Sequence, residues 1–274
     1  MAFLAAMFLS AIISSQVFGA SYKAIDLNPI GSAGSDARGI SGTQQVGWGH
    51  GSVTGNENHA LLWSGTAASF VDLNPSGFSE SDARGTNGTQ QVGYGLGSVT
   101  DGKYHALLWN SNADNFIDLN PSGFQESCAY GISGTQQVGY GWGSATGNDV
   151  HALLWSGNAA SCIDLNPIGF YWSEALGTSG TQQVGDGHGS ATGDKDHALL
   201  WSGSADSFID LHQFLPAGFN TSYAQGIDCY GNIVGYATDS LGYPHAILWQ
   251  PIPEPATLFL LSLGGLALLR KRRA

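Results

Sequence analysis

The chain has few cysteines and few basic residues, and each shortage excludes a class of function. Three cysteines among 274 residues do not make a disulfide framework. Nine Lys and Arg residues are outnumbered by 21 Asp and Glu, and four of the nine lie together near the C-terminus. Before Pro253 there are five basic and twenty acidic residues, a formal charge of −15. Such a chain has no electrostatic surface for nucleic acid, so we expect no nucleic-acid partner.

Catalytic and cofactor motifs are also missing. The sequence contains no zinc-ligand spacing, nucleophile elbow, P-loop or dinucleotide fingerprint. We therefore expect no catalytic residue, no cofactor and no metal site. Helix is not expected between the termini, because the chain has forty glycines and no sustained 3.6-residue period.

What the sequence does have is a repeat of 46 residues. An Asp-Leu-Asn-Pro motif and its degenerate last copy, Asp-Leu-His-Gln, begin at Asp26, Asp72, Asp118, Asp164 and Asp210. A His-Ala-Leu-Leu-Trp motif and its variant His-Ala-Ile-Leu-Trp begin at His59, His105, His151, His197 and His245. A fixed period in this range indicates a repeat architecture. These units resemble the HAF-type repeats of bacterial extracellular proteins, a family defined by sequence pattern and location, which implies no activity.

Each unit predicts four short strands. In the second unit they are Asp82–Thr86, Gln90–Tyr94, His105–Trp109 and Phe116–Leu119, separated by Gly, Asn, Ser and Pro. Four antiparallel strands in about 45 residues match one blade of a β-propeller. Cys128 and Cys162 then fall on the first and fourth strands of one blade, about three gaps of ~4.8 Å apart. That distance is too long for a disulfide.

The two ends of the repeat region are incomplete and complementary. It begins with a lone fourth-strand segment, Tyr22–Leu27, and ends with three strands of a fifth unit between Ala224 and Trp249. Pairing these fragments would complete one blade, as propellers commonly do when they close. We therefore expect an all-β fold: a five-bladed β-propeller over residues 20–250, closed by pairing of the N-terminal strand with the last repeat. The alternative is an open β-solenoid, which leaves both fragments as exposed edges.

The N-terminus predicts export. Met1–Ile13 is apolar except for Ser10, and a small residue, Gly19, follows at a position suited to cleavage. This pattern predicts a secretory signal peptide over residues 1–19. An uncleaved membrane anchor is the alternative.

The C-terminus has three parts in a fixed order. Pro253-Glu254-Pro255 is followed by fourteen uncharged residues, Ala256–Leu269, and then by Arg270, Lys271, Arg272 and Arg273. The order resembles the PEP-CTERM sorting signal of exopolysaccharide-producing bacteria, a motif also described as an ice-binding protein C-terminal domain. The resemblance implies processing by an exosortase, a membrane enzyme, and delivery to the cell surface.

The physical character of this tail agrees with the resemblance. Fourteen residues fall short of the ~20 that cross a bilayer's hydrocarbon core, and clustered basic residues stay on the cytoplasmic side. We expect a short transmembrane helix within residues 251–274 that anchors the protein transiently or permanently. An ordinary C-terminal anchor is the alternative.

The repeated His and Asp residues are expected to be structural. They recur in every unit with a Trp four residues after the His, and a catalytic or metal site needs no such repetition. We predict that the His side chains satisfy buried backbone or Asp groups, and that the Asp residues cap the Asn-Pro turn.

Positions that differ between otherwise similar units indicate a ligand face. Aromatic and acidic replacements gather in the loops and at the first-strand openings of one face, giving the candidates Asp36, Asp82, Trp142, Tyr171, Trp172 and Glu174. Rings and carboxylates around a concave face suit a glycan. We predict a non-catalytic surface or matrix protein that binds a glycan or another envelope component. Random variation of solvated loops is one alternative; another is a glycosidase that acts on extracellular polysaccharide through Asp36, Asp82 and Glu174.

Overall fold

The computed structural model describes residues 23–252. Their regular structure consists of β-strands and short 3-10 helices, as the all-β prediction requires. Within this part of the chain, no helix is long and apolar enough to cross a membrane. The predicted signal peptide and the predicted C-terminal helix lie outside the described residues.

The described strands form five antiparallel sheets that follow one another along the chain. The first sheet contains β1 (Ser32–Ser41), β2 (Gln44–Gly51), β3 (His59–Trp63) and β4 (Val71–Asp72). The second contains β5 (Phe78–Thr86), β6 (Gln91–Gly97), β7 (His105–Trp109) and β8 (Phe116–Asp118). The third contains β9 (Glu126–Ser133), β10 (Gln136–Trp142), β11 (His151–Trp155) and β12 (Ile163–Asp164). The fourth contains β13 (Phe170–Thr178), β14 (Gln183–Gly189), β15 (Lys195–Trp201) and β16 (Ile209–Asp210). The fifth has three strands, β17 (Phe219–Ile227), β18 (Ile233–Asp239) and β19 (Pro244–Trp249).

Short 3-10 helices connect these strands. They span Ser52–Thr54, Ala67–Ser69, Ser98–Thr100, Ser144–Thr146, Ala159–Ser161, Ser190–Thr192, Ala205–Ser207 and Leu211–Phe214. The strand order within the complete sheets confirms the predicted four-stranded unit, which is the blade topology of β-propellers.

The glycine of each Val-Gly motif is required by close strand contact. Gly93 on β6 pairs with Ala83 on β5, next to a register shift. A Cβ atom on Gly93 would lie 1.9 Å from the carbonyl oxygen of Asp82, so no larger residue fits. The equivalent glycine of every other unit meets the same obstacle, which explains why this residue recurs with the repeat.

Consecutive sheets pack face to face through one apolar pattern. Between the first and second sheets, Val46, Leu62 and Leu73 pack with Leu107 and Trp109. Equivalent residues fill the next three junctions. Burying a side chain of this size contributes ~1.5–3 kcal/mol. The first strands of neighbouring sheets lie side by side, whereas the fourth strands pack on the third strand of their own sheet.

A partly buried polar network accompanies each junction. Between the second and third sheets, His105 Nδ1 lies 2.7 Å from Asp118 Oδ2, and Asn120 Nδ2 lies 3.3 Å from His105 Nε2. The Ser127 hydroxyl donates to Asn120 Oδ1 at 2.7 Å and accepts the Ala106 N–H at 3.0 Å. The repeated His and Asp therefore serve the junctions, which confirms their predicted structural role.

The predicted closure is not observed. The predicted strand Tyr22–Leu27 does not pair with the last repeat: residues 23–27 form no strand, and β19 is an edge of its sheet. The physical reason is that closure depends on the rotation between successive sheets, which adds up over five units and here leaves β19 as an edge. The five sheets therefore do not close into a ring.

Cys128, Cys162 and Cys229 are all free. Cys128 lies on the first strand of the third sheet as predicted, whereas Cys162 lies one residue before the fourth strand, at the end of a 3-10 helix.

Replacement of Ser127 by Ala tests the polar network. The Ser127 side chain is fully buried, and its loss leaves the Ala106 N–H without a partner, a cost of about 1–3 kcal/mol. The free energy of unfolding, measured by denaturant titration of the full chain, should fall by that amount. Ser122 is an exposed serine in the turn before β9. Ser122→Ala is the matched control and should change the free energy of unfolding little. Equal effects of the two substitutions would contradict the role of the network.

Candidate functional site

One row of side chains crosses all five sheets along their first strands. At the same register of each sheet, a residue of the first strand pairs with a residue of the second. We call these pairs the inner row: Asp36 with Trp48, Asp82 with Tyr94, Cys128 with Tyr140, Glu174 with Asp186, and Tyr223 with Tyr236. The rest of each unit is nearly constant, whereas the side chains of the inner row differ from one sheet to the next.

A cavity of about 250 Å³ opens on the row between the first two sheets. It is lined by Arg38, Trp48, Asn58, Glu80, Ser81, Asp82, Arg84, Tyr94 and Tyr104. Asp82 Oδ2 lies 3.3 Å from Arg84 Nη2 and 3.8 Å from Arg38 Nη2. The cavity therefore combines aromatic rings with an ion-paired carboxylate.

Several polar atoms of this cavity have no hydrogen-bond partner among residues 23–252. They are Trp48 Nε1, Asp82 Oδ1 and Arg84 Nε, and all three are buried. A buried polar atom left unpaired costs about 1–3 kcal/mol.

The third sheet contributes a tyrosine cluster. The Tyr130 and Tyr140 rings stack at 5.6 Å, and the Arg84 guanidinium lies 5.2 Å from the centre of the Tyr130 ring. Burial raises the pKa of the neighbouring Cys128 thiol to about 12. The thiol is therefore protonated near neutral pH and is not a nucleophile.

The fourth sheet places two carboxylates opposite each other. Glu174 on β13 pairs with Asp186 on β14, and Asp186 is buried. Burial, and then the charges of Glu174 and Asp196, raise the pKa of Asp186 to about 8. Burial also raises the pKa of Glu174. Asp196 itself lies 2.9 Å from His188 Nδ1, and the Tyr223 hydroxyl donates to its other oxygen at 2.6 Å.

Sequence reasoning missed Asp186. The signal was present, because Asp186 occupies the position where the other units have Trp48, Tyr94, Tyr140 and Tyr236. The sequence prediction rests on variable positions of the first strands and the loops, whereas Asp186 lies on a second strand, opposite Glu174.

The predicted ligand-face residues divide into two groups. Asp36, Asp82 and Glu174 belong to the inner row. Trp142 and Trp172 lie two residue pairs further along the strands, where Trp142 donates to Glu126 Oε2 at 3.2 Å and Trp172 stacks on His188. Tyr171 is exposed beside Trp172, with its ring 6.0 Å from that of His188. No group of His, Cys, Asp and Glu within residues 23–252 is arranged to hold a metal ion.

The buried Asp186 predicts a pH dependence of stability. Its pKa, about 8, exceeds the ordinary 3.8, so the folded protein binds more protons than the unfolded chain between these values. Stability therefore falls as pH rises through about 8. Asp186→Asn should raise the free energy of unfolding at pH 9 and have much less effect at pH 5, as measured by denaturant titration. The exposed Asp194→Asn is the control; a gain from Asp186→Asn that is equal at both pH values would contradict the assignment.

Comparisons with known proteins match one end of the chain to a family. Residues 251–273 match the PEP-CTERM protein-sorting motif, which confirms the predicted sorting signal. No match was found among curated proteins. The solved β-propeller domain of the Trilobed protease from Pyrococcus furiosus, described as having an open velcro topology, is similar over 82% of this chain and 83% of its own. The identity is 8% and the TM-score is 0.38.

The sorting motif carries the conclusion on location. A PEP-CTERM motif implies export, anchoring at a membrane through the C-terminus, and processing by an exosortase.

Proposed function

We propose that the exported domain is a non-catalytic protein of the cell surface or matrix that binds an extracellular polysaccharide through the inner row. The observation that carries the proposal is the cavity between the first two sheets, where rings, carboxylates and guanidinium groups converge. The HAF-type resemblance agrees with an extracellular location. The ice-binding description of the tail remains a prediction.

The chemistry of the cavity suits a sugar. The flat faces of Trp48 and Tyr104 match the apolar face of a pyranose ring, and both residues are half-buried at the cavity. Asn58, Glu80 and Asp82 line the cavity and offer polar groups to the hydroxyls of a sugar. The ion pairs to Arg38 and Arg84 hold Asp82 in place, so the acceptor is oriented before the ligand arrives.

A longer polymer can extend over the remaining candidates. Trp142, Tyr171 and Trp172 offer further ring surfaces on the third and fourth sheets, and Asp36 and Glu174 offer further hydroxyl acceptors. Each contact in so open a site contributes little. Display of many anchored copies on one surface would raise the overall affinity, because later contacts with one polymer form at high effective concentration.

One observation favours a second function, a glycosidase. Glu174 and Asp186 are directly opposed on neighbouring strands, which places their Cβ atoms about 4.5–5.5 Å apart. With its pKa at about 8, Asp186 holds a proton at neutral pH, as a general acid must. Asp36 and Asp82 are the other carboxylates that sequence comparison proposed for this chemistry. Release of reducing sugar from a polysaccharide, abolished by Asp186→Asn or Glu174→Gln, would establish this function in place of simple binding.

Polysaccharide binding can be measured with the full-length protein and immobilised exopolysaccharide from the producing cells. Trp48→Ala combined with Tyr104→Ala should reduce retention at least tenfold, since stacking and water exclusion are both lost. The pair Trp142→Ala and Trp172→Ala should reduce it less. Tyr230→Ala removes an exposed ring from the turn between β17 and β18, away from the cavity, and serves as the matched control. Equal retention of wild type and cavity variant would refute the site, and no retention of wild type would refute the function.

Sorting can be tested separately. Replacing Glu254 with Ala, or deleting Arg270–Arg273, should leave unprocessed precursor in the membrane fraction, because the exosortase motif or the cytoplasmic basic anchor is lost. Mass spectrometry of surface and membrane fractions gives the readout. Identical mature mass and identical surface display in wild type and both variants would contradict processing through this tail.

A further inference from the structure

Each internal junction joins the second and third strands of one sheet to the first and third strands of the next. The fifth sheet has the surface that would face a next sheet, but no sheet follows it within residues 23–252. Val234 and Leu248 are 53% and 55% exposed, although the equivalent Val46, Val92, Val138 and Val184 are fully buried. Leu62, Leu108 and Leu154, the equivalents of Leu248, are 1–4% exposed. A groove of about 440 Å³ lies over Val234 and Leu248. In the other four sheets this surface is covered by the first strand and the third strand of the next sheet.

The polar half of this junction is also incomplete. In the four internal junctions, the His Nδ1 lies 2.7–2.8 Å from an Asp oxygen of the following Asp-Leu motif. His245 has no such partner among residues 23–252, and its nearest carboxylate is Asp239, at 3.4 Å from Nε2. Ala246 is exposed, whereas Ala60, Ala106, Ala152 and Ala198 are buried and donate their N–H to a serine of the next sheet.

The N-terminal end presents the missing half. Asp26, Leu27 and Asn28 repeat the motif that follows every internal His strand, and Asn28 makes its usual contacts with Ser32 and Ser35. A groove of about 420 Å³ lies here, lined by Ile25, Leu27, Ala37 and Trp63 among others. Ala37 is exposed although Ala83, Ala129, Ala175 and Ala224 are buried. No preceding His strand within residues 23–252 covers this end.

We propose that copies of this chain associate head to tail through these two ends. The first sheet and the Asp26–Asn28 segment of one copy dock on the fifth sheet of the next. His245 then meets Asp26, the Ala246 N–H meets the Ser35 hydroxyl, and Leu27 covers Val234 and Leu248. The contact repeats a junction that the chain already makes four times, so the two surfaces are complementary without any rearrangement.

A second copy, rather than the same chain, supplies the partner. Within residues 23–252 the N-terminal segment forms no strand on β19 and the five sheets do not close, so the two half-junctions do not meet within one chain. Repeat arrays normally carry polar caps at their ends, whereas both ends here expose apolar residues, Val234 and Leu248 at one end and Ile25 and Ala37 at the other. An interface between two different surfaces propagates, and it yields a ring or a filament according to the rotation at each step.

The test uses the full chain in neutral detergent, where all variants share the same C-terminal segment. Leu248→Lys blocks the fifth-sheet end, and Ala37→Lys blocks the first-sheet end; both sites are exposed in a single copy. Sedimentation velocity should show wild type as a series of oligomers that grows with protein concentration. Each variant alone should sediment as a monomer, and an equimolar mixture of the two should form one species, a dimer joined by the two unblocked ends.

The control is Ile168→Lys, a comparable charge at a 93% exposed residue away from both ends, which should assemble like wild type. Higher salt should favour the oligomers, because acidic copies repel and an apolar interface does not depend on charge attraction.

A wild type that stays monomeric at all concentrations would overturn the proposal. In that case, a lower melting temperature of Leu248→Lys would indicate that the ends meet within one chain. Oligomers that persist in Leu248→Lys, or a mixture that forms no dimer, would also overturn it.

Discussion

The structure depends on one kind of junction, which recurs between each pair of neighbouring sheets. The second, third and fourth sheets each bury apolar residues on both faces, against the sheet before and the sheet after. Leucine and tryptophan side chains exclude water from the junction, and the His–Asp–Asn–Ser network satisfies the backbone N–H that this exclusion buries. Each part needs the other, since an unpaired N–H in an apolar junction would cancel much of the gain from burial. The repeated motifs of the sequence are the components of this contact.

Functional residues can occupy only the positions that do not take part in the junctions. Apolar and networked positions are the same in nearly every unit, so chemical differences can accumulate only where a side chain escapes that requirement. The inner row is such a place, because its residues differ from unit to unit while the apolar residues of the junctions do not. The change from Trp48 and Asp36 on the first sheet to Glu174 and Asp186 on the fourth alters the surface and leaves the packing intact. An extended ligand that touches several units would therefore meet a different group on each one.

Much of this architecture could be predicted from the sequence. Strand positions, the lack of a disulfide and the structural role of the repeated His and Asp follow from local patterns that recur with a fixed period. Closure could not be predicted, because it depends on a rotation between sheets that adds up over five units and is encoded by no single residue. At the candidate site, the sequence points to Asp36, Asp82 and Glu174 because the first-strand position that they share varies between units, and their role in binding stays a prediction. Asp186 was missed, since its importance comes from the residue opposite and from burial, neither of which a comparison of first strands reveals.

The identity of the internal junctions has a genetic consequence. A segment of 46 residues begins and ends at equivalent positions, so removing or duplicating one brings together two surfaces that already fit. In an array of this kind stability is close to a sum of units and nearest-neighbour contacts, so such a change alters it by one increment and does not abolish the fold. Recombination between near-identical stretches of the coding sequence would thus produce shorter or longer proteins in a single event. Each would still fold, and each would carry a row of side chains of a new length.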